Sequence, residues 1–211
     1  MRRSPVEALD EALLDQLVAR ATVRSFPKHA VLVVEGDDTD SLYVLVSGRV
    51  RAYVSAADGR ELEVNRMGRG EYFGEVTLDG GPRSASVAAL EDCRCVVVRR
   101  AELNQVLAQV PEFAQHMLRK LAHRVRALTG QMRDLALMDV YGRVARLLLE
   151  SAEEVNRKLV IQEALTHKEI ASRVGCSREM VSRIFSDLTA GGYLGREGRT
   201  IVILKKPPAR W

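Results

Sequence analysis

No apolar run in the 211-residue sequence approaches the ~20 residues a helix needs to cross a bilayer. The opening stretch, MRRSPVEALDEALLDQL, carries two arginines, but acidic residues interrupt it before any long apolar segment develops. It is not read as a secretory signal; the cytoplasm is the expected compartment, with no membrane partner. Cysteine is scarce. Cys93, Cys95 and Cys176 are an odd number at spacings that fit neither a zinc site nor a disulfide framework, so reduced structural thiols and no metal are expected. None lies near the N-terminus, where an iron–sulfur sensor would need them. Histidine is sparse too: His29, His116, His123 and His167 show no catalytic or zinc spacing, and surface or cap positions are expected for all four. His116 and His123 are seven apart and share a helix face, but two such residues do not make a site. With no nucleophile motif either, the chain does not read as an enzyme.

What is present is an ordinary globular composition, 46% hydrophobic and 28% charged, at a length that suits two smaller domains. The net charge of +4 is unevenly placed. Residues 1–138 hold 19 basic and 19 acidic side chains, whereas residues 139–211 hold 13 and 9. A basic terminal third on a neutral body suggests a polyanion as its partner.

From Val31 to Arg100 the hydrophobic period is two. SLYVLVSGRVRAYVS sets Val50, Ala52 and Val54 opposite Arg49, Arg51 and Tyr53, and ELEVNRM sets Leu62 and Val64 against Glu61, Glu63 and Asn65. Turn signals at Glu35-Gly36-Asp37, Ser47-Gly48 and Asp58-Gly59 divide the run into short antiparallel strands, hence a sandwich or jelly-roll barrel. A helix over roughly Val6 to Ala19 precedes it.

After Arg100 the period becomes helical. AELNQVLAQV is a short helix, and Pro111 can open the next one. From there to Met138, Leu118, Leu121, Val125, Leu128, Met132 and Leu135 step three and four residues apart. That narrow seam, flanked by Arg119, Lys120, Arg124, Arg126 and Arg133, predicts a helix ~42 Å long that pairs with a second copy of the chain; packing on its own barrel is the alternative, and part of its surface must do that. Gly130 is a local weakness of ~1 kcal/mol relative to alanine.

Residues 139–211 read as a compact third part. DVYGRVARLLLESAEEV is an amphipathic helix. Thr166 and Glu169 form a capping box opening THKEIASRVG, Gly175 ends that helix, and Ser177 caps SREMVSRIFSDLTAGG. GYLGREGRTIVIL follows as two strands around a glycine turn, a wing; the tail KKPPARW shows no pattern. Ile170 and Val174 can pack on Val181, Ile184 and Leu188. That leaves Arg178, Glu179, Ser182 and Arg183 outward, and with Ser177 and Lys168 they form the candidate DNA-binding set. Arginine can bond guanine O6 and N7 together, and glutamate can accept from cytosine N4, so this helix is equipped to read G·C pairs in a major groove of double-stranded DNA.

One stretch, FGEVTLDGGPRSA at 73–85, interrupts the strands. Taken with EGDDTDSLYVLVSGRV, LALMDVYGRVA and VGCSREMVSRI, it closely resembles the cyclic AMP receptor protein/FNR family of bacterial transcription regulators, nearly end to end. The first of these looks like the family's phosphate-binding cassette, the others like its barrel signature, hinge and recognition helix. The resemblance implies an α+β architecture: a cyclic-nucleotide-binding jelly-roll barrel over 1–109, a long dimerisation helix over 110–138, and a winged helix-turn-helix over 139–211. It implies that Gly74 and Glu75 hold the ligand's sugar and Arg83 and Ser84 its phosphate. Physically, glycine lets backbone approach a ligand, arginine supplies a forked positive charge, and glutamate suits a ribose 2′-hydroxyl rather than a phosphate. A structural Glu–Arg ion pair is the alternative.

The positions aligned with the family's two polar base contacts are Leu128 and Thr129. Leu128 has no hydroxyl, so one bond to the purine is missing. Cyclic AMP remains the first expectation, with cyclic GMP or cyclic di-GMP as alternatives, or activity without ligand. The implied protein is a homodimer on palindromic TGTGA-like sites, with half-sites ~34 Å apart, switched through a hinge near Met138 and Asp139, with RNA polymerase as a further partner. Arg83→Ala is expected to abolish the response and leave the fold intact. Two rival readings are a regulatory subunit acting on a protein partner, which the helix-turn-helix argues against, and a haem sensor, whose histidine would have to lie near the cassette.

Overall fold

In the computed structural model the described residues are 8–20, 22–162, 165–198 and 200–208, with the side chains of residues 19 and 20 excepted. They form two compact units. One comprises 8–55 and 63–127, the other 56–62 and 128–208.

The first unit opens with α1 (Glu11–Arg20); the expected start at Val6 lies outside the described residues. Eight strands follow: β1 (Thr22–Phe26), β2 (Val31–Val33), β3 (Leu42–Ser47), β4 (Val50–Ser55), β5 (Glu61–Met67), β6 (Tyr72–Phe73), β7 (Ser86–Ala89) and β8 (Cys93–Val98). They pair antiparallel in two four-stranded sheets, ordered β1-β8-β3-β6 and β2-β7-β4-β5. Alternation in β3 and β4 delivers Leu45, Val50 and Ala52 to a core shared with Phe73, Val87 and Cys95. The β3–β4 turn needs its glycine: Gly48 sits at φ +86°, and a Cβ there would lie 2.5 Å from the Asp92 carbonyl.

β5 does not sort its faces as ELEVNRM suggested. Every residue but Met67 is half-buried, and the Glu63 side chain is only 7% exposed, paired with Arg66 at 2.7 Å. β5 is the edge of its sheet, so its outer row of backbone groups needs partners from elsewhere. Arg124 supplies one, donating to the Val64 carbonyl at 2.9 Å.

α2 (Arg100–Gln109) and α3 (Pro111–Leu137) follow the barrel. The N-terminal part of α3 packs Phe113 and Met117 into a second cluster with Leu14, Leu42, Tyr72 and Val98. His116 is expected at a surface or cap position, but it is buried within α3. Its Nε2 lies 3.0 Å from the Ala8 carbonyl, which can only accept, so Nε2 carries the proton and Nδ1 takes a bond from the Tyr72 hydroxyl at 3.1 Å. Burial lowers its pKa, reinforced by Lys120 and Arg119. Lys120, also buried, donates to the Tyr72 carbonyl and stands 3.6 Å from the ring centroid. Farther along α3 the apolar seam stays uncovered: Leu118, Val125 and Met132 are 69%, 63% and 67% exposed.

The second unit begins its own core at α4 (Val140–Ser151), capped by Asp139 accepting from the Gly142 amide at 2.7 Å. α5 (His167–Val174) and α6 (Arg178–Ala190) follow. Val144, Leu148, Ile170, Val174, Val181 and Leu188 bury together. A four-stranded sheet, ordered β11-β12-β10-β9, completes the unit from β9 (Glu153–Val155), β10 (Lys158–Ile161), β11 (Leu194–Glu197) and β12 (Thr200–Ile203). The wing, β11–β12, is where the sequence placed it, although Arg199 at its tip lies outside the described residues, as do residues 209–211 of the tail. The β9–β10 hairpin was not foreseen. Its turn is Asn156-Arg157 at φ +51° and +63°, a left-handed pair with no glycine to announce it. The three thiols are free; Cys93 and Cys95 are buried, and burial pushes Cys95 up to about 12.

Candidate functional site

The interruption at 73–85 folds as a short 3-10 turn, Glu75–Asp79, entered through Gly74 at φ +92°. Gly74 cannot be replaced here, because a Cβ would lie 2.6 Å from both Arg83 Nη1 and the Ser41 carbonyl. Arg83 passes directly over that glycine. It is 3% exposed, and its hydrogen-bond partners are all neutral: Thr39 Oγ1 on Nε at 2.8 Å, the Ser41 carbonyl on Nη2 at 2.8 Å and the Gly74 carbonyl on Nη1 at 3.3 Å. Burial lowers its pKa, opposed by Tyr43 and by the carboxylates of Asp40, Asp37 and Glu75, so the guanidinium keeps its charge.

Glu75 is not spent as a structural ion pair. Its Oε2 is buried and, among the described residues, has no hydrogen-bond partner. A buried carboxylate oxygen without a donor costs free energy unless something else supplies one. Among the described residues, the cassette thus presents a buried cation with neutral hydrogen-bond partners and a buried acceptor with none. An anion carrying a nearby hydroxyl satisfies both, as a cyclic nucleotide does with its phosphodiester and ribose. Ser84 follows Arg83 with its side chain exposed. Leu128 and Thr129 lie on α3 in the other unit, both exposed, Leu128 by 42%.

The second constellation is built on α5 and α6. Thr166 and Glu169 make the reciprocal capping box, Gly175 ends α5 in the left-handed region at φ +69°, and Ser177 Oγ accepts from the Met180 amide at 3.2 Å. With Val181, Ile184 and Leu188 buried, Arg178, Glu179, Ser182 and Arg183 are left exposed on α6, and Lys168 is exposed on α5. The Glu179 carboxyl sits below its usual range, held by its own amide, the Ser177 hydroxyl and Arg178, so it remains a pure acceptor.

Beside them a cleft of about 660 Å³ opens between the start of α5, the start of α6 and the wing, lined by His167, Lys168, Arg178 and Arg196. Three cations around one concavity form a surface for phosphate oxygens.

Two known families match along the chain. The family described as "Cyclic nucleotide-binding domain" matches residues 23–110, and "Crp-like helix-turn-helix domain" matches residues 142–208. The chain belongs to the Crp/Fnr family of transcription regulators. It is 36% identical over 183 residues to the CRP-like cAMP-activated global transcriptional regulator of Mycobacterium tuberculosis, covering 84% of this chain and 82% of that one. It is 32% identical over 198 residues to the cAMP-activated global transcriptional regulator Vfr of Pseudomonas aeruginosa, covering 90% and 92%. Among solved structures, the c-di-GMP responsive global regulator CLP of Xanthomonas campestris superposes with a TM-score of 0.82 at 26% identity, over 93% of this chain and all of that one.

This Crp/Fnr regulator is accordingly a sensor joined to a DNA reader, not an enzyme. Sequence reading missed three residues that bear on its sites. Thr39 and Arg196 gave no signal, because a threonine in an acidic loop and an arginine in a wing are ordinary. For His167 the sequence suggests only a surface or cap position. It is half-buried against Phe185, ring centroids 4.8 Å apart, with Nδ1 2.9 Å from Ser182 Oγ. Burial lowers its pKa, helped by Arg196 and Arg178.

Proposed function

We propose that this protein is a homodimeric, cytoplasmic transcription regulator whose binding to palindromic TGTGA-like DNA is switched by cyclic AMP. The observation that carries the ligand reading is the pairing of buried Arg83, which has only neutral partners, with the unpartnered Glu75 Oε2. Arg83 and Ser84 take the phosphate; Gly74 and Glu75 take the sugar. Thr129 is the proposed polar contact to the purine, with apolar Leu128 next to it in the sequence. The names of the Mycobacterium and Pseudomonas relatives support cyclic AMP as the effector. Arg178, Glu179, Ser182, Arg183, Ser177 and Lys168 meet the DNA, the first four through base edges and the start of α6, the others through the backbone. RNA polymerase is the downstream partner. The exposed seam of α3 supports the dimer, since an apolar stripe three and four residues apart is the pattern of a two-chain coiled coil.

The test is fluorescence anisotropy on a TGTGA-N6-TCACA duplex, titrating cyclic AMP at fixed salt, because phosphate contacts make affinity steeply salt-dependent. Nucleotide-dependent tightening is expected. A second reading keeps the DNA reader and assigns the cassette to cyclic di-GMP. Apolar Leu128 favours it, as does the likeness to the c-di-GMP responsive regulator of Xanthomonas. Tight binding without cyclic AMP, weakened by cyclic di-GMP, would decide for that reading.

A further inference from the structure

A guanidinium has five N–H donors, and three of those on Arg83 are committed, one each to Thr39 Oγ1, the Gly74 carbonyl and the Ser41 carbonyl. What remains is one N–H on each terminal nitrogen. An arginine can grip a phosphate with two bonds along either of two edges. The side edge uses Nε and one terminal nitrogen; the end uses both terminal nitrogens. With Nε occupied by Thr39, the side edge is closed, and a two-bond grip has to use the two terminal nitrogens.

Thr39 is not there by accident of a loose loop. The segment that carries it, between β2 and β3, is tied to the backbone of Arg83 itself. The Gly36 amide donates to the Arg83 carbonyl at 2.9 Å, and the Arg83 amide donates to the Asp37 carbonyl at 2.9 Å. Main chain therefore holds Thr39 opposite the arginine, whatever its own side chain does.

We propose that Thr39 is a positioning and specificity-determining residue of the nucleotide site: by occupying Nε it fixes the guanidinium so that a cyclic phosphate is met end-on by Nη1 and Nη2. This rests on the reading of Arg83 as the phosphate ligand and deepens it. Two fixed nitrogens facing the two exocyclic oxygens distinguish those oxygens from each other. Sulfur is a poor acceptor, so replacing one oxygen or the other has unequal effects. Freeing Nε opens the side edge and lets the guanidinium swivel, which removes the distinction.

The experiment measures binding of cyclic AMP and of its Sp and Rp phosphorothioates by isothermal titration calorimetry, for the full-length wild type, Thr39→Val and Thr39→Ser. Thr39 is exposed, so the isosteric valine leaves the core untouched, and a thermal melt confirms it. The wild type is expected to bind cyclic AMP and to separate the two diastereomers. Thr39→Val should bind cyclic AMP about three- to tenfold more weakly, the scale of one ordinary hydrogen bond, with the Sp to Rp ratio falling toward one. Thr39→Ser should restore both. An unchanged ratio in Thr39→Val, whether or not affinity falls, overturns the proposal. A wild type that does not bind cyclic AMP overturns it at its premise, and that failure is visible before any variant is made.

Discussion

At the scale of single residues, the cassette concentrates its cost in two side chains. Among the described residues, Oε2 of Glu75 is buried without a donor, and Arg83 is buried with only neutral hydrogen-bond partners. If a ribose hydroxyl completes Glu75, Glu75→Gln keeps the shape and removes the charge that strengthens the bond. The wild type is then expected to prefer cyclic AMP over 2′-deoxy cyclic AMP by about tenfold or more, and Glu75→Gln by about threefold or less. Calorimetry with both nucleotides checks this; equal ratios would remove Glu75 from the sugar. Arg83 has a second role that the sequence did not disclose. Its three bonds tie the turn at Gly74 to Thr39 and Ser41, so Arg83→Ala does more than silence the response. It takes the donor from the Ser41 carbonyl and leaves the Gly74 carbonyl only the Thr77 hydroxyl, and a loss of about 1–3 kcal/mol in stability is expected by urea titration alongside the lost response.

At the scale of elements, the motifs with local grammar were legible. The capping box at Thr166, the αL exit at Gly175, the cap at Ser177 and the seam steps on α3 are short-range patterns, and α3, α5 and α6 stand where those patterns put them. What could not be read depends on partners distant in sequence. Nothing near Glu61–Met67 reveals that Arg124 covers its edge, and nothing near His116 reveals that Tyr72 and Ala8 meet it. The cassette lies between these cases: its residue types were legible, but the neutrality of every Arg83 partner was not. His116 also gives these elements a pH dependence. In the folded chain it is held neutral, with its pKa below the ordinary 6.5 because of burial and the nearby Lys120. The unfolded chain takes up a proton near 6.5 and the folded chain only at lower pH. Its contribution to stability is therefore complete above about 6.5 and declines as pH falls from there toward the folded value. Thermal melts should show the wild type losing more stability than His116→Gln between pH 7.5 and 5.5. On the DNA side, Arg178 stands exposed at the start of α6. Arg178→Ala should cost about 1–3 kcal/mol on the best site and relax preference at one base pair. A uniform loss on all sequences would make it a phosphate contact.

At the scale of the whole molecule, the proposed switch needs two copies, and the seam of α3 is where they would meet. Leu118 and Met132 are 69% and 67% exposed in the single chain, so charge at either position leaves the fold of one protomer untouched. In a coiled coil the same positions face their counterparts, and glutamates there bury like charges against each other. The double variant Leu118→Glu, Met132→Glu is expected to sediment as a monomer with an unchanged helix content. Its consequence for DNA follows from bivalency. A dimer binds its second half-site at the effective concentration set by the first, so a monomer should lose about a hundredfold or more on a palindrome while keeping its affinity for an isolated half-site. The number of phosphates neutralised should halve, and with it the slope of log affinity against log salt. A variant that stays dimeric would place the interface elsewhere. A monomer with the full slope would mean that one reader already makes all the contacts, and α3 would then have no part in DNA recognition.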